Sequence, residues 1–206
     1  MEKYLIFDFD GVIGDTYECA VATHVAYGSQ PTREKAIEEM HEYFTNKPNH
    51  TRNHTKTDEE MAAVYKWTSE FGAIMQKIGF PLFHEFVAAV EAQPTTHKAI
   101  ASSGSQNYVL PALAKTKINP THILAFENHH SKEEKVETIC KDWGVEVSDV
   151  YYFTDSLADV YELEGFISKD KLIGCSWGFC TKEDLLKELN PEHVIDTPAE
   201  FTALLS

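Results

Sequence analysis

Arginine is almost missing from this chain: Arg33 and Arg52 are the only two, and lysine and arginine together number 18 against 33 aspartates and glutamates. The formal net charge of −15 leaves no room for a broad basic surface, which argues against nucleic acid or an anionic membrane as a partner. A local basic pocket is compatible with it, and divalent cations are favoured. No apolar run approaches the roughly 18 residues of a membrane span, and the opening MEKYLIF is too short for a signal peptide. The four cysteines, Cys19, Cys140, Cys175 and Cys180, lack CxxC spacing. That predicts reduced, mostly buried thiols in a cytoplasmic protein, where the N-x-T matches at Asn49 and Asn53 carry no glycosylation. There is no internal repeat and no low-complexity tract.

What is present is enough for one sizeable core plus a smaller appended unit, with 206 residues at 43% hydrophobic content. Short apolar runs of strand type recur at YLIFDF (4–9), KAIASS (98–103), HILAF (122–126), VYYFT (150–154) and LIGCS (172–176), with a weaker HVID at 193–196. Such runs suit strands buried on both faces. Helical patterns lie between most of them, so the fold class is α/β: a Rossmann-like parallel sheet with helices on both faces. Residues 16–94 break the alternation. They read as helices only, which predicts a helical insertion at 16–94 in a core made of 1–15 and 95–206. Within it, TNKPNHTRNHTKT (45–57) has almost nothing to bury and reads as a mobile loop. YKW and EFG, between 65 and 72, read as the insertion's own core.

In an open parallel sheet ligands bind beyond the carboxyl ends of the strands. The first strand delivers Asp8 and Asp10 there, two residues apart and therefore projecting to the same side. The second ends in Ser102, Ser103, Gly104 and Ser105, small residues whose backbone N–H groups can turn toward an anion. The fourth ends in TDSLAD, with Asp155 at its terminus and Asp159 a helical turn later. SKEE at 131–134 fits a capping box, with Ser131 as N-cap and Glu134 at the third helical position. Lys132 then opens a helix, against the helix dipole by ~0.3–1 kcal/mol, which points to a phosphate or carboxylates that need its charge. Lys135, a turn further along, is the reserve candidate. Each signal alone is weak. Their order at successive strand ends is what argues for a site.

These motifs, DFDGV at 8–12, AIASSGS at 99–105, Lys132 in HHSKEEK and FTDSLAD at 153–159, resemble the haloacid dehalogenase-like superfamily of phosphotransferases. The insertion resembles the helical cap of the subfamily that includes phosphoglycolate phosphatase and β-phosphoglucomutase. The resemblance implies a magnesium-dependent phosphatase acting on a small phosphorylated metabolite, as a monomer or homodimer. It implies Asp8 as nucleophile and Asp10 as general acid and base. Ser102, with Ser103 as alternative, and Lys132 would hold the phosphoryl group. Asp8, Asp10 through its carbonyl, and Asp155 would hold Mg2+, with Asp159 as a ligand through water or behind the others. Thr154 stands where that family commonly has glycine, which predicts crowding of the metal loop. Asp15, by contrast, reads as a helix cap or hinge residue where the insertion begins.

A phosphomutase and a non-catalytic phospho-ligand binder are the alternative functions. Dehalogenation is disfavoured, because Asp10 supplies an acid/base carboxyl that dehalogenases lack. Arg33 and Arg52 both lie in the insertion, where a bidentate guanidinium could meet an anionic end of a substrate. His50 and His54, four apart, and His129 and His130 offer only a weak zinc pattern.

Overall fold

The computed structural model describes residues 2–50 and 57–206. Strands β1 (Tyr4–Phe7), β2 (Lys98–Ala101), β3 (His122–Leu124), β4 (Val150–Thr154), β5 (Leu172–Cys175) and β6 (Val194–Ile195) form one parallel sheet in the order β3-β2-β1-β4-β5-β6. All six expected apolar runs contain strands; β4 matches its run and the other five end one or two residues early. The paired register Phe7 with Ile100 and Phe7 with Phe153 brings the ends of β1, β2 and β4 level. Asp8, Ser102 and Asp155 therefore leave the sheet along one edge, at the point where the strand order reverses.

The helices are α1 (Tyr17–Tyr27), α2 (Arg33–Thr45), α3 (Asp58–Ile78), α4 (His84–Ala92), α5 (Gln106–Leu113), α6 (Lys132–Trp143), α7 (Leu157–Glu162), α8 (Lys182–Leu185) and α9 (Pro198–Leu204). Strand alternation sorts the core into two layers. Leu5 and Phe7 face the layer that holds Val109, Phe86 and Phe201, while Ile6, Ala99 and Tyr152 face the layer that holds Val136 and Ile139. Both faces are covered, as the near-continuous apolar strand sequences require. The four cysteines are free and buried. No helix among the described residues is long and apolar enough to cross a membrane.

Helix α1 packs against both α2 and α3, and residues of all three face the strand-end edge. Thr57 starts α3 with a full capping box to Glu60. The two connections to this helical unit run side by side: Gly14 bridges antiparallel to Leu82, the Asp15 amide donates to the Pro81 carbonyl at 3.0 Å, and the Phe83 amide donates to the Ile13 carbonyl at 3.0 Å. Asp15 thus lies in this paired neck. The N-cap of α1 is Thr16, so Asp15 is not the helix cap.

Helix α4 falls within the 16–94 interval yet packs with the sheet. Its Phe86 ring lies 6.1 Å from Phe7 and 5.0 Å from Phe201, and Val90 is fully buried. By contact α4 is a core helix, because its apolar face finds the sheet rather than α1–α3. The expected loop at 45–57 also begins differently, since Lys47–His50 forms a 3-10 turn. Arg52, Asn53 and His54 lie outside the described residues. Tyr65 and Trp67 are not buried in a helical core either. Each is 39% exposed, whereas Phe71 and Gly72 are buried.

Candidate active site

Asp8 follows the last paired residue of β1. Its backbone N–H donates to the Phe153 carbonyl at 2.9 Å, and its Oδ1 accepts from the Phe9 amide at 2.7 Å, so the carboxylate is fixed at the junction of β1 and β4. Lys132 Nζ approaches the same Oδ1 at 2.8 Å. That ammonium is fully buried and also meets Asp159 Oδ2 at 3.1 Å, Tyr152 Oη at 2.9 Å and the Ala101 carbonyl at 2.9 Å. Burial alone would push the Lys132 pKa down, but Asp159 and Asp8 outweigh it and hold the lysine charged. Burial raises the Asp8 carboxyl well above the usual range, with Lys132 opposing. Asp159 is pushed up by burial too, yet Lys132 and its hydrogen bonds hold it below the ordinary value.

Ser131 caps α6 as expected, its Oγ accepting from the Glu134 amide at 3.4 Å. The reciprocal half of the box is not made by Glu134. A different amide of the first turn, that of Lys132, donates to Glu162 of α7 at 2.7 Å. This carboxylate at the helix N-terminus offsets the unfavourable placement of a lysine there. Lys135 is also fully buried, and its Nζ has no hydrogen-bond partner among the described residues. Burial and the Lys132 charge lower it to about 7. Neither lysine lines the cavity, but Lys132 touches Asp8, which does.

Asp10 accepts from Tyr108 Oη at 2.8 Å and from Ser102 Oγ at 3.5 Å, both on Oδ2. Its Oδ1 is buried without a partner among the described residues. Burial raises its pKa, against the Tyr108 hydrogen bond. Gly104 permits this meeting, because a Cβ there would lie 1.9 Å from Tyr108 Oη and 2.7 Å from Asp10 Oδ2. Ser102 is fully buried and its Oγ also accepts from the Gly104 amide at 2.8 Å, whereas Ser103 is exposed on the cavity wall. Of the two serines, the structure brings Ser102 to the Asp10 carboxylate.

Asp155 Oδ2 accepts from the Phe179 amide at 2.5 Å, yet burial still carries its pKa up to about 8. Its carboxylate fills the space where two glycines lack a side chain: a Cβ on Gly11 would lie 1.8 Å from Oδ2, and one on Gly178 2.3 Å from it. Gly11 also has φ +69°, a conformation that glycine adopts without strain. Thr154 does not crowd this loop. Its Oγ1 donates to Asp159 Oδ2 at 3.0 Å and accepts from the Ser156 amide at 3.1 Å, so it orders the loop between the two aspartates.

Asp8, Asp10, Asp155 and Asp159 all line one cavity of about 430 Å³, roofed by residues of α1, α2 and α3. Four carboxylates, three buried and that of Asp10 partly so, repel one another around the single Lys132 ammonium, which is the condition a hard divalent cation relieves. No group of three or more His, Cys, Asp or Glu side chains among the described residues forms a metal cluster by itself. Asp8 and Asp155 both line this cavity, and carboxylate oxygens are the hard donors that suit magnesium. Asp159 Oδ2, in contrast, is committed to Lys132, Tyr152 and Thr154.

Sequence reasoning missed Tyr108, Tyr152, Glu162 and the Phe179 amide, which reach the site from separate elements. Of the histidines, His50 Nε2 bonds the Tyr43 carbonyl at 2.6 Å, and His129 faces Glu134 at 3.8 Å. Arg33 is exposed and forks onto Glu18 at 2.5 and 2.8 Å, away from the cavity.

Residues 5–162 match the family described as haloacid dehalogenase-like hydrolase. Solved structures with the same architecture include a haloacid dehalogenase-like family hydrolase from Streptococcus pneumoniae, at 12% identity and TM-score 0.67, covering 100% of this chain and 99% of the other. A predicted phosphoglycolate phosphatase from Haemophilus somnus has 14% identity and TM-score 0.67, covering 100% and 98%. A predicted phosphatase from Clostridium acetobutylicum has 15% identity and TM-score 0.71, covering 100% and 98%. At such identities the likeness is one of fold. No curated protein sequence matches.

Proposed function

The chain belongs to the haloacid dehalogenase-like hydrolases, and on that footing we propose that it is a magnesium-dependent phosphatase of small phosphorylated metabolites. The observation that carries the reading is the pairing of Asp8 with Lys132 at 2.8 Å beside Asp10, at the edge of a roofed cavity. Asp8 attacks phosphorus and the ester P–O bond breaks, leaving an aspartyl-phosphate on Asp8. Asp10, whose burial favours the protonated form, gives its proton to the leaving oxygen. Asp10 then takes a proton from water, whose oxygen attacks phosphorus and frees the Asp8 carboxylate and inorganic phosphate.

Lys132 balances the charge at Asp8 and stays beside the phosphoryl group that Asp8 carries. Asp159 and Tyr152 keep that ammonium in place. Ser102 holds Asp10 and, with the small-residue turn after β2, offers donors to the phosphoryl oxygens, Ser103 being the more exposed alternative. Asp8, Asp155 and the Asp10 carbonyl would hold Mg2+, which supplies charge neutralisation between nucleophile and phosphate. In this reading the cap comprises α1–α3, and α4 belongs to the core.

A phosphomutase must also hold a second phosphate, and among the described residues no lysine or arginine lines the cavity. A binder has no need of an acid/base carboxyl at Asp10. The test is turnover of a panel of phosphate monoesters by the purified protein with magnesium. Release of phosphate that is lost in Asp8→Asn supports the reading. An Asp8→Asn variant as active as the wild type sinks it.

A further inference from the structure

The roof of the cavity has a composition that bears on what the phosphate is attached to. Tyr43 and Phe44 from α2, Trp67 and Phe71 from α3, and Phe179 from the loop after β5 all line it. Trp67 and Phe71 lie with ring centroids 4.8 Å apart and planes inclined by 28°, a stacked pair. Tyr43 is 52% exposed and Trp67 39% exposed, so large aromatic surfaces are left wet next to the site. Aromatic surface that lines a cavity and stays partly exposed offers a contact face for an apolar group.

Among the described residues, the lysine, arginine, aspartate and glutamate side chains on the same wall have one sign. Glu39 of α2 and Glu162 of α7 line the cavity, and no lysine or arginine does among the described residues. Arg33, the described arginine of the cap, is held by Glu18 on the outside. The Lys132 ammonium is fully buried and shared by Asp8 and Asp159. His24 is tied to Ser29 at 2.9 Å and packs edge-on to Phe71 at 4.8 Å. A carboxylate or second phosphate on the leaving group would meet like charge in a cavity with little to pair it, which costs affinity directly.

We infer that the substrate is a phosphate monoester of an alcohol bearing a flat ring and no negative charge, the ring lying against Trp67 and its neighbours. This rests on the phosphatase reading above and narrows it. It sets the chain apart from an enzyme for phosphorylated hydroxy acids, for which the roof would need a cation. Ring stacking and charge exclusion together, not either alone, define the class.

Matched compounds test it. Benzyl phosphate should be hydrolysed with a kcat/KM at least about tenfold above those of 2-phosphoglycolate, 4-carboxybenzyl phosphate and ethyl phosphate. Trp67→Ala should shrink the advantage of benzyl over ethyl phosphate, chiefly through KM. Glu39→Lys should raise 4-carboxybenzyl phosphate relative to benzyl phosphate by about tenfold. The inference is overturned if 2-phosphoglycolate or 4-carboxybenzyl phosphate equals benzyl phosphate, or if ethyl phosphate does. A preference for the anionic compounds that vanishes in Arg52→Ala overturns it as well, by placing a cation in the roof.

Binding separates this inference from the chemistry. Calorimetric titration of the magnesium-loaded protein with non-hydrolysable benzylphosphonate and phosphonoacetate should favour the first by about tenfold, even if no ester is turned over. Preferential phosphonoacetate binding ends the inference and leaves the phosphatase reading intact. Benzylphosphonate binding without turnover of any ester ends the phosphatase reading and leaves the ligand class intact.

Discussion

Lys132 Nζ lies 2.8 Å from Asp8 Oδ1 with the lysine side chain fully buried, so the carboxylate is held by a cation that water does not reach. Because Asp159 takes the same ammonium at 3.1 Å, the charge is shared between the ends of β1 and the α7 turn. The carboxylate that we propose as nucleophile is thereby oriented in the protein alone.

Asp8→Asn removes the proposed nucleophile while keeping its shape. We expect phosphate release to fall by about 10³-fold or more, with benzylphosphonate binding retained, measured by steady-state kinetics and calorimetry. Retained turnover would move the attack to another group.

Lys132→Met leaves Asp8 and Asp159 facing each other without their cation. The expected cost is about 3 kcal/mol of stability at pH 7, read by urea unfolding, together with loss of activity. Asp159 is depressed in the fold, so its contribution is present above the unfolded carboxylate pKa and is lost as pH falls through its lower folded value. The gap between wild type and variant should therefore close below about pH 4. A gap that widens on acidification contradicts the charge sharing.

Asp155 titrates the other way. Burial raises it to about 8, so in metal-free protein its stabilising contribution is complete below the unfolded pKa and is lost as pH rises through about 8. The melting temperature without divalent cation should drop by several degrees between pH 6 and 9, and magnesium should restore it most at the alkaline end. Thermal unfolding across this range, with and without magnesium, measures both. An effect of magnesium confined to low pH would contradict the assignment.

Tyr108→Phe deletes the hydrogen bond that lowers the Asp10 pKa. The limb of the pH–rate profile that reports Asp10 should move to higher pH, with a stability loss of about 1 kcal/mol. An unchanged profile with the same stability loss would make Tyr108 a packing residue only.

Much of this was legible from periodicity and order along the chain. The six apolar runs became strands because burial on both faces leaves few other uses for Leu-Ile-Phe or Val-Tyr-Tyr-Phe stretches. Asp8, Asp10 and Asp155 were readable because they sit one residue or so beyond those runs. What escaped arrives from elsewhere in the fold. Tyr108 reaches Asp10 only because Gly104 lacks a side chain, and Glu162 reaches the Lys132 amide because α7 packs beside α6. Helix α4 could not be told from the cap helices by pattern, since its apolar stripe does not say which partner covers it. Trp67 looked like core for the same reason. Helix α9 did carry a local signal, the Thr197–Glu200 capping box with Pro198 at its start.

The paired neck at residues 13–15 and 81–83 has a bearing on how the chain folds. Strand β1 must find β2 across the whole insertion, a long closure for neighbours in a sheet. Once Gly14 and Leu82 are joined, the path from Phe7 to Lys98 shortens to about a quarter, which lowers the remaining loop-closure cost by about 1 kcal/mol. The neck is in this sense also a shortcut along the chain, one that brings the two halves of the sheet sequence within a short reach of each other.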